Sequence, residues 1–338
     1  MKTIYQQAIT CLKGGNPFVL ATVIRTWGSA PRKAGSHMLI THDKILGSVS
    51  GGCVESDVFR NANAIINQEG SKLIHYGVSD EDAWQVGLSC GGEIDVLLEV
   101  YSSGNESEHK YWTAIRSAIE NDSGAVVFHN LGDDNSQRRA VQPAHHWDND
   151  QAGEIAKNAF ERRMHQIAEI EGTEYFIEVV PPRQKLLIFG AAHMTAELVK
   201  LARQFDFETI VIDPRSFFMD STKIPDQPDK FIHAWPAEVL HEIPLTPYTY
   251  AVTLSHDPKI DDQALVQLLR SQVAYIGALG SKKTHAKRIA RLQAAGFTEE
   301  EIQRIHAPVG IDIRAQSAQE IALSILADLI REKNKFIL

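Results

Sequence analysis

The segment KLLIFGAAHMTAELVKLA, followed by TIVIDPR, spans 185–202 and 209–215 and restricts the fold more than any other stretch of this chain. An apolar run leads into a glycine turn, then a helical pattern, then a second apolar run closed by an acid. Residues 185–189, 209–213, 249–254 and 273–277 are short apolar runs without alternation. Strands buried on both faces of a parallel sheet have this character. Met194, Leu198, Leu201, Ala202 and Phe205 fall on one helical face between the first two runs. Thr298 with Glu301, and Ser317 with Glu320, are capping boxes that open two further helices. Strands alternating with helices in this way predict an α/β domain over 183–338, a Rossmann-like doubly wound parallel sheet.

A chain of 338 residues has room for about two domains. The first half carries strand-like runs at 18–24, 37–41, 44–49, 72–76 and 94–100, with AVVFHN and EYFIEVV later. A helix beginning near Cys53 places Val54, Val58, Ala62 and Ile65 on one face. The prediction is a smaller α+β domain over 1–182, with 131–152 as a long polar loop and Pro181-Pro182 at the boundary. With 34 Lys and Arg against 43 Asp and Glu, the net charge is −9, which argues against sequence-independent nucleic-acid binding. No apolar run approaches the ~20 residues of a bilayer span, and the first 15 residues lack a signal-peptide core. Those features, with three unpatterned cysteines, lead us to expect a cytoplasmic protein with no membrane partner. A homodimer is the default for a protein of this size.

Several turns have the residues for chemistry. Gly190 opens a helix and Asp213 follows 23 residues later, where a dinucleotide site keeps its ribose-binding acid. Ala192 and Thr195 occupy the second and third glycine positions of that fingerprint, so NAD(P) binding is weakened while the fold is not. His193 is either a site residue at the helix mouth or a helix-start histidine. Gly277, Gly280, Ser281, Lys282, Lys283 and Thr284 form a second strand–turn–helix junction that suits a phosphate. Ser255, His256 and Asp257 close another strand, as ligand residues or as a helix cap. In the first half, Cys53 follows Gly51 and Gly52 at a helix start, where a thiolate is favoured, and Cys90 precedes Gly91 and Gly92. Cys11 reads as core. Glu55 reads as first-turn dressing or a site acid. Arg25, Ser29, Arg32 and Lys33 lie on a Gly/Pro-rich loop able to clamp an anion. No P-loop, H-E-x-x-H or G-x-S-x-G motif is present, and His145-His146 makes a poor metal site.

ATVIRTWGSAPRKAGSHMLI, GSVSGGCVES and the CGG at 90–92 resemble the first domain of the XdhC/CoxI family of xanthine dehydrogenase accessory proteins. LLIFGAAHMTAEL, VIDPR, YIGALGSKKTH and IHAPVGIDIRAQSAQEIALSILADL resemble its Rossmann-type second domain, in the same order. The resemblance implies a chaperone for the molybdenum cofactor (molybdopterin), a pterin bearing a dithiolene and a terminal phosphate. It implies delivery to a xanthine dehydrogenase-type molybdenum hydroxylase, with a cysteine desulfurase as sulfur source. Carried onto this chain, the cofactor-binding positions are Gly51, Gly52, Cys53, Cys90, Gly91, Gly92, Gly190, His193, Asp213, Arg215, Gly280 and Ser281. Cys53 and Cys90 are candidate molybdenum or sulfur contacts. The family usually reads G-A-G-H where this chain has Gly190-Ala191-Ala192-His193, and Gly where Arg314 stands.

The leading expectation is therefore cofactor binding and delivery, with help at sulfuration and no intrinsic xanthine dehydrogenase activity. The alternative is an NAD(P)-dependent oxidoreductase acting on a small molecule in an inter-domain crevice, supported by Asp213 and opposed by Ala192.

Overall fold

The computed structural model describes residues 2–68, 70–77, 92–102, 106–132, 139–143, 147–215 and 227–335. The chain divides after Pro182 into two compact units.

The first unit runs α1 (Lys2–Lys13), β1 (Phe18–Trp27), β2 (His37–Ile40), β3 (Ile45–Gly47), α2 (Glu55–Ile65), β4 (Ser71–Tyr76) and β5 (Glu93–Tyr101). It continues with α3 (Glu106–Glu120), β6 (Ala125–Asn130), β7 (Arg139–Pro143), α4 (Gln151–Arg162), β8 (Gln166–Ile170) and β9 (Thr173–Val180). These strands make two antiparallel sheets, ordered β3-β2-β1-β5-β4 and β7-β6-β9-β8. Residue parity assigns each side chain of β1 to a layer. Val19, Ala21 and Val23 pack with Val54, Val58 and Ala62 beside α2. Phe18 and Leu20 face the other way, toward Tyr5 of α1, Trp112 of α3 and Val127 of β6. Each such side chain, fully withdrawn from water, contributes about 1.5–3 kcal/mol. Cys11 is buried in the second of these layers. With two sheets to house, this unit is the longer of the two rather than the smaller. The stretch 131–152, read as one polar loop, contains the strand β7, which pairs with β6 across a bulge between Val126 and Val127.

The second unit begins with β10 (Gln184–Phe189), α5 (His193–Arg203), β11 (Phe207–Ile212), β12 (Lys230–Ile232), α6 (Pro236–Val239) and β13 (Thr249–Thr253). It ends with α7 (Pro258–Leu268), β14 (Tyr275–Ala278), α8 (Lys282–Ala294), α9 (Glu299–Gln303), β15 (Ile305–His306) and α10 (Ala318–Asn334). Its six strands are all parallel, in the order β12-β11-β10-β13-β14-β15. Counted from β10 that order is 3-2-1-4-5-6, a doubly wound Rossmann-like sheet as expected. Leu186 and Ile188 pack with Leu198 of α5 and Ile325 of α10. Leu187 and Phe189 pack on the opposite face with Leu265 of α7 and Leu292 of α8. Both predicted capping boxes form, at Thr298–Glu301 and Ser317–Glu320. The face drawn through Phe205 stops at Arg203, because Asp206 turns left-handed at φ 63° and leaves Phe205 exposed.

Candidate functional site

In the first unit the loop before α2 is organised by one carboxylate. Oε1 of Glu55 accepts from the Ser48 hydroxyl at 2.7 Å and from the Ser50 and Gly51 amides at 2.9 Å each. Oε2 accepts from the Ser50 hydroxyl at 2.5 Å and the Gly52 amide at 2.8 Å. Burial would raise this acid, but the Ser50 and Ser48 hydroxyls and the Ser50 amide overcome it and hold the carboxyl at about 2. The Ser50 hydroxyl in turn accepts from the amides of Cys53 and Val54 at 3.0 Å each. Glu55 is thus the loop's own anion, and Gly51 and Gly52 spend their amides on it.

What the loop leaves open is space. Gly51 and Gly52 have φ 85° and 125°, and a Cβ on either would meet nothing within 4 Å. Cys53 follows them, partly buried against the α2 layer, and α2 starts two residues later with Val54 as its cap. A thiol beside uncovered glycine backbone is a surface a ligand can approach closely. Gly92 is buried, and a Cβ there would come within 2.7 Å of the Ala30 amide, so it fits close packing against the 29–30 backbone. Cys90, Gly91 and His145-His146 lie outside the described residues. Among the described residues no group of three or more His, Cys, Asp or Glu is placed to hold a metal ion. Arg25 is not a loose clamp: it donates to Glu174 at 2.8 Å and stands 3.5 Å from Asp95. A cavity of 150 Å³ between α1 and α3, walled by Ile9, Leu12 and Trp112, contains none of the residues singled out above.

Sequence reasoning missed a buried polar layer in the same unit. Glu178 of β9 accepts from Tyr5 at 2.8 Å and pairs with Nε2 of His37 at 2.6 Å and of His129 at 2.8 Å. Nδ1 of His129 meets Glu99 at 2.7 Å, and Nδ1 of His37 meets Thr22 at 3.1 Å. Burial works against the charge on His129, but the Glu99 charge and the Glu178 hydrogen bond prevail and raise it to about 10. Burial likewise opposes the charge on Glu178, yet His37 and His129 hold it well below the usual carboxylate range. These residues come from five strands and α1, and no short motif contains more than one of them.

In the second unit the switch point of the sheet falls between β10 and β13. Gly190 closes β10 at φ 110°, and a Cβ there would lie 2.5 Å from Cα of Ser255, beyond β13. Only glycine fits this crossing. Asp213 directly follows β11 and is fully buried. Its Oδ2 accepts from the Ala191 amide and from Nη2 of Arg215, both at 2.7 Å. Its Oδ1 accepts from the Arg215 amide and Nε, both at 2.9 Å. Burial would raise Asp213, but the Arg215 side chain and the Ala191 and Arg215 amides pull it below the usual range. A carboxylate has about four acceptor positions, and four donors fill these.

The remaining predicted residues sit along the same carboxyl edge. His193 is the exposed first residue of α5, capped by Ala192 without a side-chain bond. Ser255 donates to the buried Asp261 at 2.6 Å, and Asp257 caps α7 by accepting from the Lys259 amide. His256, between them, stands at φ 61°. Gly280, at φ 133°, precedes Ser281, whose hydroxyl caps α8 by accepting from the Thr284 amide at 3.2 Å. Arg314 has φ 56°, a left-handed turn where glycine is at ease.

The second unit's strand order and glycine turn define a Rossmann-type protein, here built onto an antiparallel first unit. Comparison makes the class particular. Residues 186–329 match the XdhC Rossmann domain, and residues 11–77 match the XdhC and CoxI family. The chain is 31% identical over 324 residues to a probable xanthine dehydrogenase subunit of Bacillus subtilis (strain 168), covering 94% of this chain and 93% of that one. It is 26% identical over 330 residues to the molybdenum cofactor insertion chaperone PaoD of Escherichia coli (strain K12), covering 97% and 87%. A solved structure from Bacillus halodurans, described as a xanthine dehydrogenase, matches with a TM-score of 0.68 at 27% identity over 98% of this chain and 96% of that one. The chain belongs to the XdhC/CoxI family.

Proposed function

We propose that this chain binds the molybdenum cofactor and delivers it to a xanthine dehydrogenase-type molybdenum hydroxylase. Its similarity to an insertion chaperone supports the reading, as does membership of a family tied to such enzymes. The observation that carries it against the dehydrogenase alternative is the state of Asp213. With four donors on the carboxylate, no acceptor is left for a ribose hydroxyl. The methyl of Ala192 also stands where a pyrophosphate needs glycine. These residues weigh against an NAD(P) cofactor.

The molybdenum cofactor would bring a metal held by soft sulfur and a terminal phosphate. For the soft end the first unit offers Cys53 beside the open backbone of Gly51 and Gly52, and we assign Cys90 and Gly91 to the same role, with Gly92 packing the segment against residues 29–30. Thiolates suit sulfur-rich metal chemistry. For phosphate, the second unit offers the turn at Gly280–Ser281, with His193 exposed at the mouth of α5 and Asp213 acting to hold Arg215 and the Gly190 turn. In this reading the chain itself does not oxidise xanthine, a cysteine desulfurase supplies the terminal sulfur, and the working form is a homodimer in the cytoplasm.

The test is the cofactor content of the full chain purified without oxygen from cells that make the cofactor. Pterin is oxidised and read by fluorescence, and molybdenum is counted by mass spectrometry. Near-stoichiometric pterin is expected in the wild type, with a loss of about tenfold in Cys53→Ala. A wild type that carries no pterin but retains a nicotinamide nucleotide would return the assignment to an oxidoreductase.

A further inference from the structure

One face of the first sheet ends in side chains outside the thiol and phosphate turns. The register pairs Trp27 with Glu93 and Arg25 with Asp95 across β1 and β5, and His75 with Asp95 across β4 and β5. Residues paired in this way, and residues two apart on a strand, share a face. The five therefore form two adjacent rows on the face away from α2, since Ile94 and Tyr76 pack with the α2 layer. The inner row is committed. Asp95 is buried, pairs with Nδ1 of His75 at 2.7 Å and stands 3.5 Å from Arg25, which reaches Glu174 of β9.

The outer row is open. Trp27 is 45% exposed, and its ring meets that of His75 edge to face with centroids 6.0 Å apart. The Glu93 side chain is 42% exposed. Among the described residues its carboxylate accepts no hydrogen bond, and Nε2 of His75 stands 3.9 Å away. Gly77 continues β4 beside it, where a Cβ would lie 2.9 Å from Nε2 of His75 and 3.2 Å from Cγ of Glu93. The third place in the row is thus a gap, walled by an imidazole that Asp95 holds in position. A carboxylate accepts two parallel N–H bonds from a flat group with two donors side by side, and an indole beside it stacks a flat ring. The aminopyrimidinone edge of a pterin or a guanine meets both demands. A guanidinium carries the same donors, but its charge would be repelled by Arg25 in the next row, which a neutral ring escapes.

We propose that Trp27, Glu93 and the gap over Gly77 take an aminopyrimidinone ring, stacked on the indole with its amino and ring N–H groups donating to Glu93. The proposal deepens the carrier reading and rests on it for the source of the ring, the pterin, which the thiol and phosphate positions leave unheld. The recognition itself serves that ring from either source.

The probes are pterin, guanosine and the dioxo analogue of pterin, which has a carbonyl in place of the amino group. Each is measured against the full chain by equilibrium dialysis. Saturable binding of pterin is expected, about tenfold tighter than that of the dioxo analogue. Glu93→Gln should abolish that preference, while Trp27→Leu should weaken all three probes about tenfold and leave the preference intact. Both side chains are nearly half exposed, so both variants should keep the wild-type urea midpoint. No saturable binding, equal affinity for the two pteridines, a preference that survives Glu93→Gln, or displacement of pterin by agmatine overturns the proposal. Chain purified from cofactor-making cells separates the two readings. A guanine nucleotide carried in place of pterin upholds the site and removes the carrier reading. Pterin retained in full by both variants upholds the carrier reading and overturns the site.

Discussion

Glu55 shows how one side chain decides what a loop can do. Five donors converge on it, two of them amides of the glycine pair and two of them serine hydroxyls. The loop before Cys53 is therefore closed to a foreign carboxylate or phosphate at those amides, and what it offers is the thiol and uncovered backbone. Glu55→Gln replaces an acceptor of five bonds with one oxygen and an amide that competes with the donors. We expect a loss of about 2 kcal/mol in urea unfolding at pH 7. Equal unfolding midpoints for variant and wild type would show that Glu55 is surface decoration. The sign with pH follows from the depressed acid. Its contribution is present above the ordinary glutamate range of about 4.5 and is lost as pH falls toward about 2, so the variant and the wild type converge in acid. Arg314 stands at φ 56°, a left-handed turn, and that backbone conformation accounts for the glycine usual at this position in the family.

Among the elements, the glycine turn between β10 and α5 separates fold from ligand. Gly190 is needed for the crossing over Ser255, which is a matter of packing, and it was legible as the end of an apolar run before a helical pattern. Strands β1, β5, β10, β11 and β13 were legible for the same reason, since their burial on both faces writes continuous apolar runs. The short strands β12 and β15, of three and two residues, and the irregularly paired β7 were not, because so few residues set no period. The filled state of Asp213 was equally hidden. Asp213 stands at the spacing of a ribose-binding acid, and only the fold of Asp213-Pro214-Arg215 back on itself shows that its acceptor positions are filled. Ala192→Gly restores the second glycine of the fingerprint, yet we expect no gain in NAD affinity, by calorimetry, because Arg215 still occupies Asp213. The appearance of micromolar NAD binding in that variant would mean that the methyl alone was the obstacle.

Across the whole chain, the property least visible in the sequence is the charged layer buried inside the first unit. Thr22, His37, Glu99, His129 and Glu178 alternate with apolar residues on their strands, and only the pairing of two separate sheets brings them together with Tyr5. Each was indistinguishable from a solvent-facing residue of a half-buried strand. Their burial makes the unit's stability depend on pH in two directions. Glu178 is depressed, so its contribution is complete above about pH 4.5 and is lost as pH falls further. His129 is raised to about 10, so its contribution is complete below about pH 6.5 and drains away as pH rises through about 10. Both are complete only between about pH 4.5 and 6.5, and urea unfolding should give its highest midpoint for the first unit in that window. Tryptophan fluorescence is a suitable probe, since Trp27, Trp84, Trp112 and Trp147 precede residue 183 and Trp235 alone follows it. Glu178→Gln, which strands two buried histidines, should cost about 3–5 kcal/mol at pH 6. It should also shift the alkaline loss to lower pH, because His129 keeps only Glu99. A midpoint that is flat from pH 5 to 10 in the wild type would mean that His129 carries no charge in the folded chain, and that the layer holds the two sheets together through neutral hydrogen bonds alone.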